Sequence, residues 1–182
     1  MSVEVPLFYN RGDPSRAHFF SHKKDFLKFS GVFDFDGLYR LVAKWFADRK
    51  YDFYETLYKD KSPELELEWI AKRKVDELYQ YKIRLYFHLW DVKTVETIKD
   101  GVKKKLTSCR MIIEFDPTVI VDWQDRWSES KFTKALLDFY INNIIKRELQ
   151  LKYVDPLWYV VYRLHNIIKE YLEMESRGSA YG

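Results

Sequence analysis

The sequence predicts an α+β domain, in which an antiparallel sheet of about four to five strands has an N-terminal helix and two C-terminal helices packed on one face. Two observations support this fold class. Strand-like alternation fills the middle of the chain without an intervening helix, and helical periodicity returns only in the last third. Glycine and proline are scarce, at six and five of 182 residues, so most of the chain is expected in regular elements.

The first fifty residues hold two candidate helices. Residues 14–29 fit a helix that starts with Asp13 as its N-cap and Pro14 at its first position. Residues 37–49 fit a helix better, because their apolar residues recur at helical spacing and form one stripe: Leu38, Leu41, Val42, Trp45 and Phe46. The length suits a single domain over residues 1–182, with 1–30 as a less certain N-terminal extension and 176–182 as a frayed tail.

The period then changes to that of a strand. Residues 51–58 are rich in Tyr and Phe, and residues 64–75 and 78–92 alternate between apolar and polar side chains. This two-residue period is typical of an antiparallel sheet with one buried face. Apolar residues within 66–79 also fit helical spacing, so that stretch stays open between strand and helix.

Turn signals separate the later strands. Asp100-Gly101 predicts a hairpin turn that joins residues 91–98 to residues 103–115. Asp116-Pro117 predicts a second turn, after which residues 118–127 alternate again.

The last third of the chain predicts two helices. Residues 130–149 carry apolar side chains at helical spacing: Phe132, Leu136, Phe139, Tyr140 and Ile144. Asp155 as a cap and Pro156 at the first helical position start a second helix that runs to about Met174. Its expected buried face comprises Leu157, Val160, Val161, Leu164, Ile167, Ile168, Tyr171 and Leu172.

Composition limits the compartment and the class of partner. Cys109 is the single cysteine, so no disulfide can form within the chain and a reducing, cytoplasmic setting is expected. No run of about 18 apolar residues occurs, and we expect no membrane contact. The net charge of +3 permits an acidic partner without requiring one. Scarce Asn and Gln beside abundant Lys, Glu and Tyr favour a prokaryotic source, and are also typical of archaeal and thermophilic proteins.

Residues 34–37 read Asp-Phe-Asp-Gly after a short apolar run. Over about seven residues this resembles the haloacid-dehalogenase-like superfamily. The resemblance implies that Asp34 is a nucleophile towards phosphorus, that Asp36 protonates the leaving group, and that a magnesium ion assists. The fold of that family is a parallel sheet, whereas successive strands without crossover helices indicate an antiparallel one. The alternative, which we prefer, is that Asp36 caps the helix over 37–49 and that Asp34 holds no metal.

A second pattern concerns metal binding. His18 and His22 are four residues apart, which on a helix places both imidazoles on one face. No glutamate stands between them in the position that zinc proteases use, and the other histidines are distant in sequence. A surface pair is the better interpretation, and we expect no metal and no cofactor.

Basic clusters beside aromatic residues suggest nucleic acid as a partner. The basic residues are Lys72, Arg73, Lys74, Lys103, Lys104, Lys105 and Arg110, and the aromatic ones are Tyr86 and Trp90 on the more polar face of their strand. If the two clusters adjoin in the sheet, they form a positive edge beside an aromatic platform, as in single-stranded nucleic-acid binders. Lysines also protect edge strands from aggregation, which is the simpler interpretation.

The leading functional hypothesis is a non-catalytic cytosolic binding or interaction domain, because the sequence contains no complete catalytic set. Strands near residues 86–92 are apolar on both faces and need a cover on each. A protein partner or self-association would supply it. Two alternatives remain: single-stranded nucleic-acid binding, and small-molecule binding in a cavity under the last helix, as in helix-grip domains.

Overall fold

The computed structural model describes residues 3–6, 25–99, 102–124, 126, 130–144 and 146–174. Its strands are β1 (Val3–Pro6), β2 (Asp25–Phe33), β3 (Asp52–Lys61), β4 (Glu64–Lys74), β5 (Tyr79–Lys99) and β6 (Val102–Val121). Its α-helices are α1 (Phe35–Asp48), α2 (Lys131–Phe139), α3 (Lys146–Leu149) and α4 (Asp155–Tyr171), with π-helical turns at Tyr140–Ile144 and Gln150–Val154.

Every described strand pairing is antiparallel, and the order across the sheet is β1-β6-β5-β4-β3. Strand β2 also pairs with β6, along residues 107–115, while β1 pairs with residues 118–121. The two short strands therefore lie end to end on one edge of β6, and the described sheet is five strands wide. This confirms the predicted α+β fold class.

The ambiguous residues 66–79 form a strand and a turn. Strand β4 pairs with β5 from Leu65 opposite Leu89 to Lys74 opposite Gln80. Its inward side chains are all buried: Leu65, Leu67, Trp69 and Ala71. Because a helix could not bring these four to a single sheet face, the strand period prevails over the weaker helical spacing.

The predicted turn at Asp116-Pro117 is wrong, since both residues lie inside β6 and Pro117 stands opposite Ile83 of β5. Proline lacks the N–H that a central strand usually needs. On its other side, however, Pro117 falls in the gap between the residues that pair with β2 and those that pair with β1. Neither β1 nor β2 therefore needs a backbone N–H donor at residue 117. The alternation predicted over 118–127 ends at Val121, and Asp122 turns the chain with φ 55°.

The helix predicted over residues 14–29 is wrong for residues 25–29, the part that the structure describes. Residues 25–33 form β2, with Leu27 opposite Ile113 and Phe33 opposite Thr107. Leu27 and Phe33 are buried against the core, so pairing with β6 and alternate burial override the local helix signal. Residues 14–24 lie outside the described part of the chain.

The core lies between one face of the sheet and helices α1 and α4. Helix α1 buries nearly all of the stripe that its sequence predicts, and α4 does likewise with Leu157, Val161, Leu164, Ile168 and Leu172. Trp69 is almost fully buried at the centre, with ring contacts to Tyr39, Phe53 and Phe87. Edge-to-face contacts of this kind add to the stabilisation that burial of these rings provides.

The helix predicted over 130–149 is interrupted. Helix α2 ends at Phe139, and π-helical turns link it through α3 to α4. Asp155 does not act as the predicted cap, because the residue before it, Val154, is already helical and the backbone continues without a break. The apolar stripe of α2, unlike that of α4, stays exposed.

Asp76 joins three parts of the fold at the β4–β5 turn. Its Oδ1 accepts hydrogen bonds from the backbone N–H groups of Leu78 (2.8 Å) and Tyr79 (2.7 Å), and its Oδ2 accepts one from the Tyr153 hydroxyl (2.9 Å). Its carbonyl accepts the indole N–H of Trp123. The turn is thereby fixed to the chain after β6 and to the helical segment before α4.

We expect Asp76→Ala to lower the free energy of unfolding by about 2–3 kcal/mol, at about 1 kcal/mol for each carboxylate hydrogen bond removed. The neighbouring Glu77→Ala is the control. It removes only an exposed ion pair with Arg126 and should change stability by less than about 0.5 kcal/mol. Urea unfolding followed by circular dichroism measures both, and equal effects would contradict the role assigned to Asp76.

His165 is a buried titratable group on α4. Its ring meets Phe115 edge-on, and neither ring nitrogen has a hydrogen-bond partner among the described residues. Burial lowers the pKa of His165, and Lys169 adds to this, while the nearby charge of Asp25 opposes it. The folded chain therefore binds a proton at this site less readily than the unfolded chain.

As the pH falls, the unfolded chain binds a proton at His165 at a higher pH than the folded chain does. The free energy of unfolding should therefore decrease as the pH drops below the usual histidine pKa of about 6.5. We expect the urea midpoint to decrease between about pH 7.5 and 5.5. His165→Leu, which cannot be protonated, should reduce that slope. An unchanged slope in the variant would show that another group carries the dependence.

Candidate interaction surfaces

The Asp-Phe-Asp-Gly motif forms the start of α1. Asp34 is the N-cap, and its Oδ1 accepts the N–H of Gly37 at 2.8 Å. Asp36, which was predicted to be the cap, instead lies exposed in the first helical turn, where its charge faces the positive end of the helix dipole. The reason is that α1 begins at Phe35, two residues earlier than the apolar stripe suggested.

Gly37 is explained by a close approach from α4. The Tyr171 hydroxyl donates to the Asp34 carbonyl at 3.1 Å, and a Cβ at residue 37 would collide with that hydroxyl and with the Asp34 carboxylate. Thus Asp34 caps α1 with its carboxylate and accepts a hydrogen bond from α4 with its carbonyl. Gly37 leaves room for both contacts. Asp34, Asp36 and Gly37, which suggested phosphatase chemistry, therefore each have a structural role in the start of α1.

The surroundings of the motif also differ from those of the phosphatase family. Strand β2, which precedes Asp34, is antiparallel to β6, whereas that family requires a parallel sheet. Within the described residues, no three His, Cys, Asp or Glu side chains are grouped so that they could hold a metal ion. His18 and His22 lie outside the described residues, so their pairing stays a prediction.

The outer face of the sheet, opposite the helices, carries a network of charged side chains. Arg84 lies between two carboxylates, with nitrogen–oxygen distances of 2.6 Å to Glu68 and 3.1 Å to Glu114. Glu66 accepts hydrogen bonds from Lys59 and from the Tyr86 hydroxyl. These contacts lower the pKa of Glu66, so its carboxylate stays ionised at neutral pH.

The predicted aromatic platform lies on this same outer face. Trp90 stacks on His88 with ring centroids 3.9 Å apart, and Tyr86 lies further along the strand. Burial and the hydrogen bond to Glu66 raise the pKa of Tyr86 to about 12. The platform is therefore interspersed with carboxylates, which repel a phosphate backbone.

The two predicted basic clusters do not adjoin. In the β5 register, Lys72 stands opposite Lys82, whereas Lys103 stands opposite Ile98, near the far end of the same strand. Arg73 points to the core side and lies over the rings of Tyr51 and Tyr81.

Two more predicted basic residues are engaged locally. Lys74 lies over the ring of Trp123, and Arg110 pairs with Asp91 at 2.7 Å. The cluster Lys103, Lys104 and Lys105 is exposed on β6, where it pairs with β5 beyond the ends of β2 and β4.

An exposed apolar surface is the most prominent feature of the C-terminal region. We call it the α2 face and define it by Phe132 (76% exposed), Leu136 (46%), Phe139 (57%), Tyr140 (41%) and Ile144 (61%). Sequence periodicity finds these residues but assigns them to the core. The same pattern would be expected of a helix that buries its apolar side against another molecule.

The single cysteine is a buried thiol that is not activated as a nucleophile. Cys109 is buried in β6, and burial raises the pKa of its thiol to about 11. A thiol with so high a pKa is protonated at neutral pH and is a poor nucleophile.

Comparison with protein-family models, curated proteins and solved structures finds no match to this chain. Among the described helices, none has the length and apolar character that crossing a membrane would require. The functional assignment consequently depends on the surfaces described above.

We expect Asp34→Ala to lower the free energy of unfolding by about 1 kcal/mol, because it removes the helix cap. Asp34→Asn keeps an acceptor oxygen and should leave stability nearly unchanged, while Asp36→Ala should cost only about 0.3 kcal/mol from the helix dipole. Urea unfolding compares the three. Turnover of a simple phosphomonoester that Asp34→Asn abolishes would contradict the capping assignment and restore the phosphatase hypothesis.

Proposed function

We propose that the chain is a non-catalytic interaction domain that self-associates through the α2 face. The proposal rests on one observation: this face is exposed, although its apolar residues recur at the spacing that is typical of a buried helix face. Within the described residues, no strand or helix covers Phe132, Phe139 or Ile144.

The size of the α2 face supports a macromolecular partner. At roughly 200 Å² for each large apolar side chain, the exposed fractions leave on the order of 500 Å² of apolar surface. The largest apolar patch of a typical monomer is about 300–600 Å², and it often marks a binding site. A standard protein interface buries about 800 Å² on each partner, so this face would supply most of one side.

A second copy of the chain is the partner that this surface fits most simply. In a twofold dimer both copies contribute the same patch, so an apolar stripe meets an apolar stripe without further adaptation. Two helices that bury such stripes against each other pack side chains from each into the grooves of the other. The dimer would remove the exposed Phe132, Phe139 and Ile144 from water.

Nucleic-acid binding on the outer sheet face has less support. Glu66, Glu68 and Glu114 stand among the residues that would have to receive phosphates, and Arg84 is already held between two of them. The small-molecule hypothesis requires space under α4, where Leu157, Val161 and Leu164 are fully buried. Both hypotheses stay predictions.

The self-association proposal is tested by sedimentation velocity over a range from low to high micromolar protein. We expect the wild-type chain to form a dimer and Phe139→Glu to weaken dimerisation at least tenfold, about 1.4 kcal/mol, because a carboxylate would be buried in the interface. Circular dichroism should show an intact fold in the variant.

Tyr58→Glu is the matched control, since Tyr58 on β3 is 56% exposed and Phe139 is 57% exposed. It introduces the same charge at an equally exposed aromatic residue and should leave the dimer unchanged. A wild-type chain that stays monomeric at every concentration would overturn self-association. Equal weakening by both variants would show that the α2 face is not the interface.

A further inference from the structure

Strands β5 and β6 extend beyond the rest of the described sheet as a two-stranded arm. Pairing with β4 ends at Leu89, and pairing with β2 ends at Thr107. Past these points residues 93–99 pair, within the described part of the chain, only with residues 102–108 of β6. We call residues 92–99 and 102–106 the arm; the predicted Asp100-Gly101 turn between them lies outside the described residues. At about 3.3 Å per residue, its seven β5 residues 93–99 span about 23 Å.

The base of the arm is fixed to the body of the protein. Asp91 adopts φ 55° at a β-bulge, which shifts the register between Trp90 and Lys93. The next residue, Val92, donates its N–H to the Pro63 carbonyl at 2.9 Å, and the Asp91 carboxylate pairs with Arg110. Bulges bend and twist a ribbon, so this one sets the direction in which the arm leaves the sheet.

The arm is strongly basic. It contains Lys93, Lys99, Lys103, Lys104 and Lys105 against Glu96, an excess of four positive charges in a chain whose net charge is +3. Lys103, Lys104 and Lys105 are consecutive on a strand and exposed, so they point alternately to both faces of the ribbon.

We propose that the arm binds the phosphate backbone of double-stranded DNA. A two-stranded ribbon fits the major groove of B-DNA, which is about 12 Å wide. Lysines on both faces can then reach the phosphates of both strands, and the hydroxyls of Thr94 and its partner Thr107 add donors of the kind that contact phosphate. The proposal does not depend on self-association.

Duplex is favoured over single-stranded nucleic acid by the composition of the arm. Residues 92–106 contain no Phe, Tyr or Trp, and single-stranded binders use such rings to stack bases. The aromatic residue next to the arm in sequence, Trp90, is already stacked on His88. The arm can therefore offer charge and shape, which suit a duplex, but no stacking platform.

Fluorescence anisotropy with the full chain tests the proposal. The probes are a duplex DNA, a duplex RNA of the same length and the corresponding single-stranded oligonucleotides, titrated at several salt concentrations. We expect micromolar or tighter binding to the DNA duplex at low salt, with log K falling steeply as log salt rises. Binding to the RNA duplex should be weaker, because its A-form major groove is deep and narrow.

Two triple variants locate the binding surface. Replacing Lys103, Lys104 and Lys105 by Gln should weaken duplex binding at least tenfold. It should also reduce the slope of log K against log salt by about 2–3, at about 0.9 for each phosphate that the variant no longer neutralises. The control replaces Lys28, Lys44 and Lys50 by Gln; these are exposed lysines elsewhere, so the net charge falls equally. It should bind as the wild type does.

Several results would overturn the proposal. These are no binding to the DNA duplex at low salt, tighter binding to the RNA duplex, equal loss of affinity in the two triple variants, or equal affinity for polyglutamate or anionic phosphatidylglycerol vesicles. Tighter binding to a single strand that Trp90→Ala abolishes would also overturn it, and would move nucleic-acid recognition to the outer sheet face.

Discussion

The pairing of β5 with β6 is the constraint on which the rest of the structure depends. These two strands are 21 and 20 residues long and pair from Tyr79 opposite Val121 to Lys99 opposite Val102. Strand β4 is built on one side of the pair, and β1 and β2 share the other. The inward residues of both long strands are buried in the core, where α4 packs on β6, while α1 packs on β3 and on α4. The same length also produces the arm, since no described neighbour is long enough to accompany the pair to its end.

The two faces of the sheet are stabilised by different kinds of interaction. The inner face is apolar and covered by α1 and α4, and Trp69 and Phe87 fill its centre. The outer face alternates charges across neighbouring strands, so that Arg84 pairs with Glu68 on one side and with Glu114 on the other. Such partly exposed pairs contribute little stability each, yet they keep that face polar. The α2 face, in contrast, exposes five large apolar side chains at helical spacing.

Sequence patterns predict most of the sheet, because its inner residues alternate over long stretches and local period and burial agree. These patterns fail where pairing with a distant strand determines the local structure. Nothing local shows that residues 25–29 will pair with β6, or that Pro117 can occupy a strand because its open side meets a gap. The same limit applies to α2, since periodicity reports that one side of a helix is apolar but not what will cover it.

The Asp-Phe-Asp-Gly motif shows why a short resemblance needs its three-dimensional setting. An apolar strand followed by Asp-x-Asp-Gly presents carboxylates at a strand end in a phosphatase. Here the same order satisfies two other requirements: an acceptor for the first N–H groups of α1, and a residue without a side chain where Tyr171 crosses. The strand that precedes the motif, β2, is held in place by antiparallel pairing with β6 rather than by a parallel neighbour. Because that pairing positions Asp34 at the end of β2, it also positions the start of α1 and the carbonyl that Tyr171 of α4 contacts.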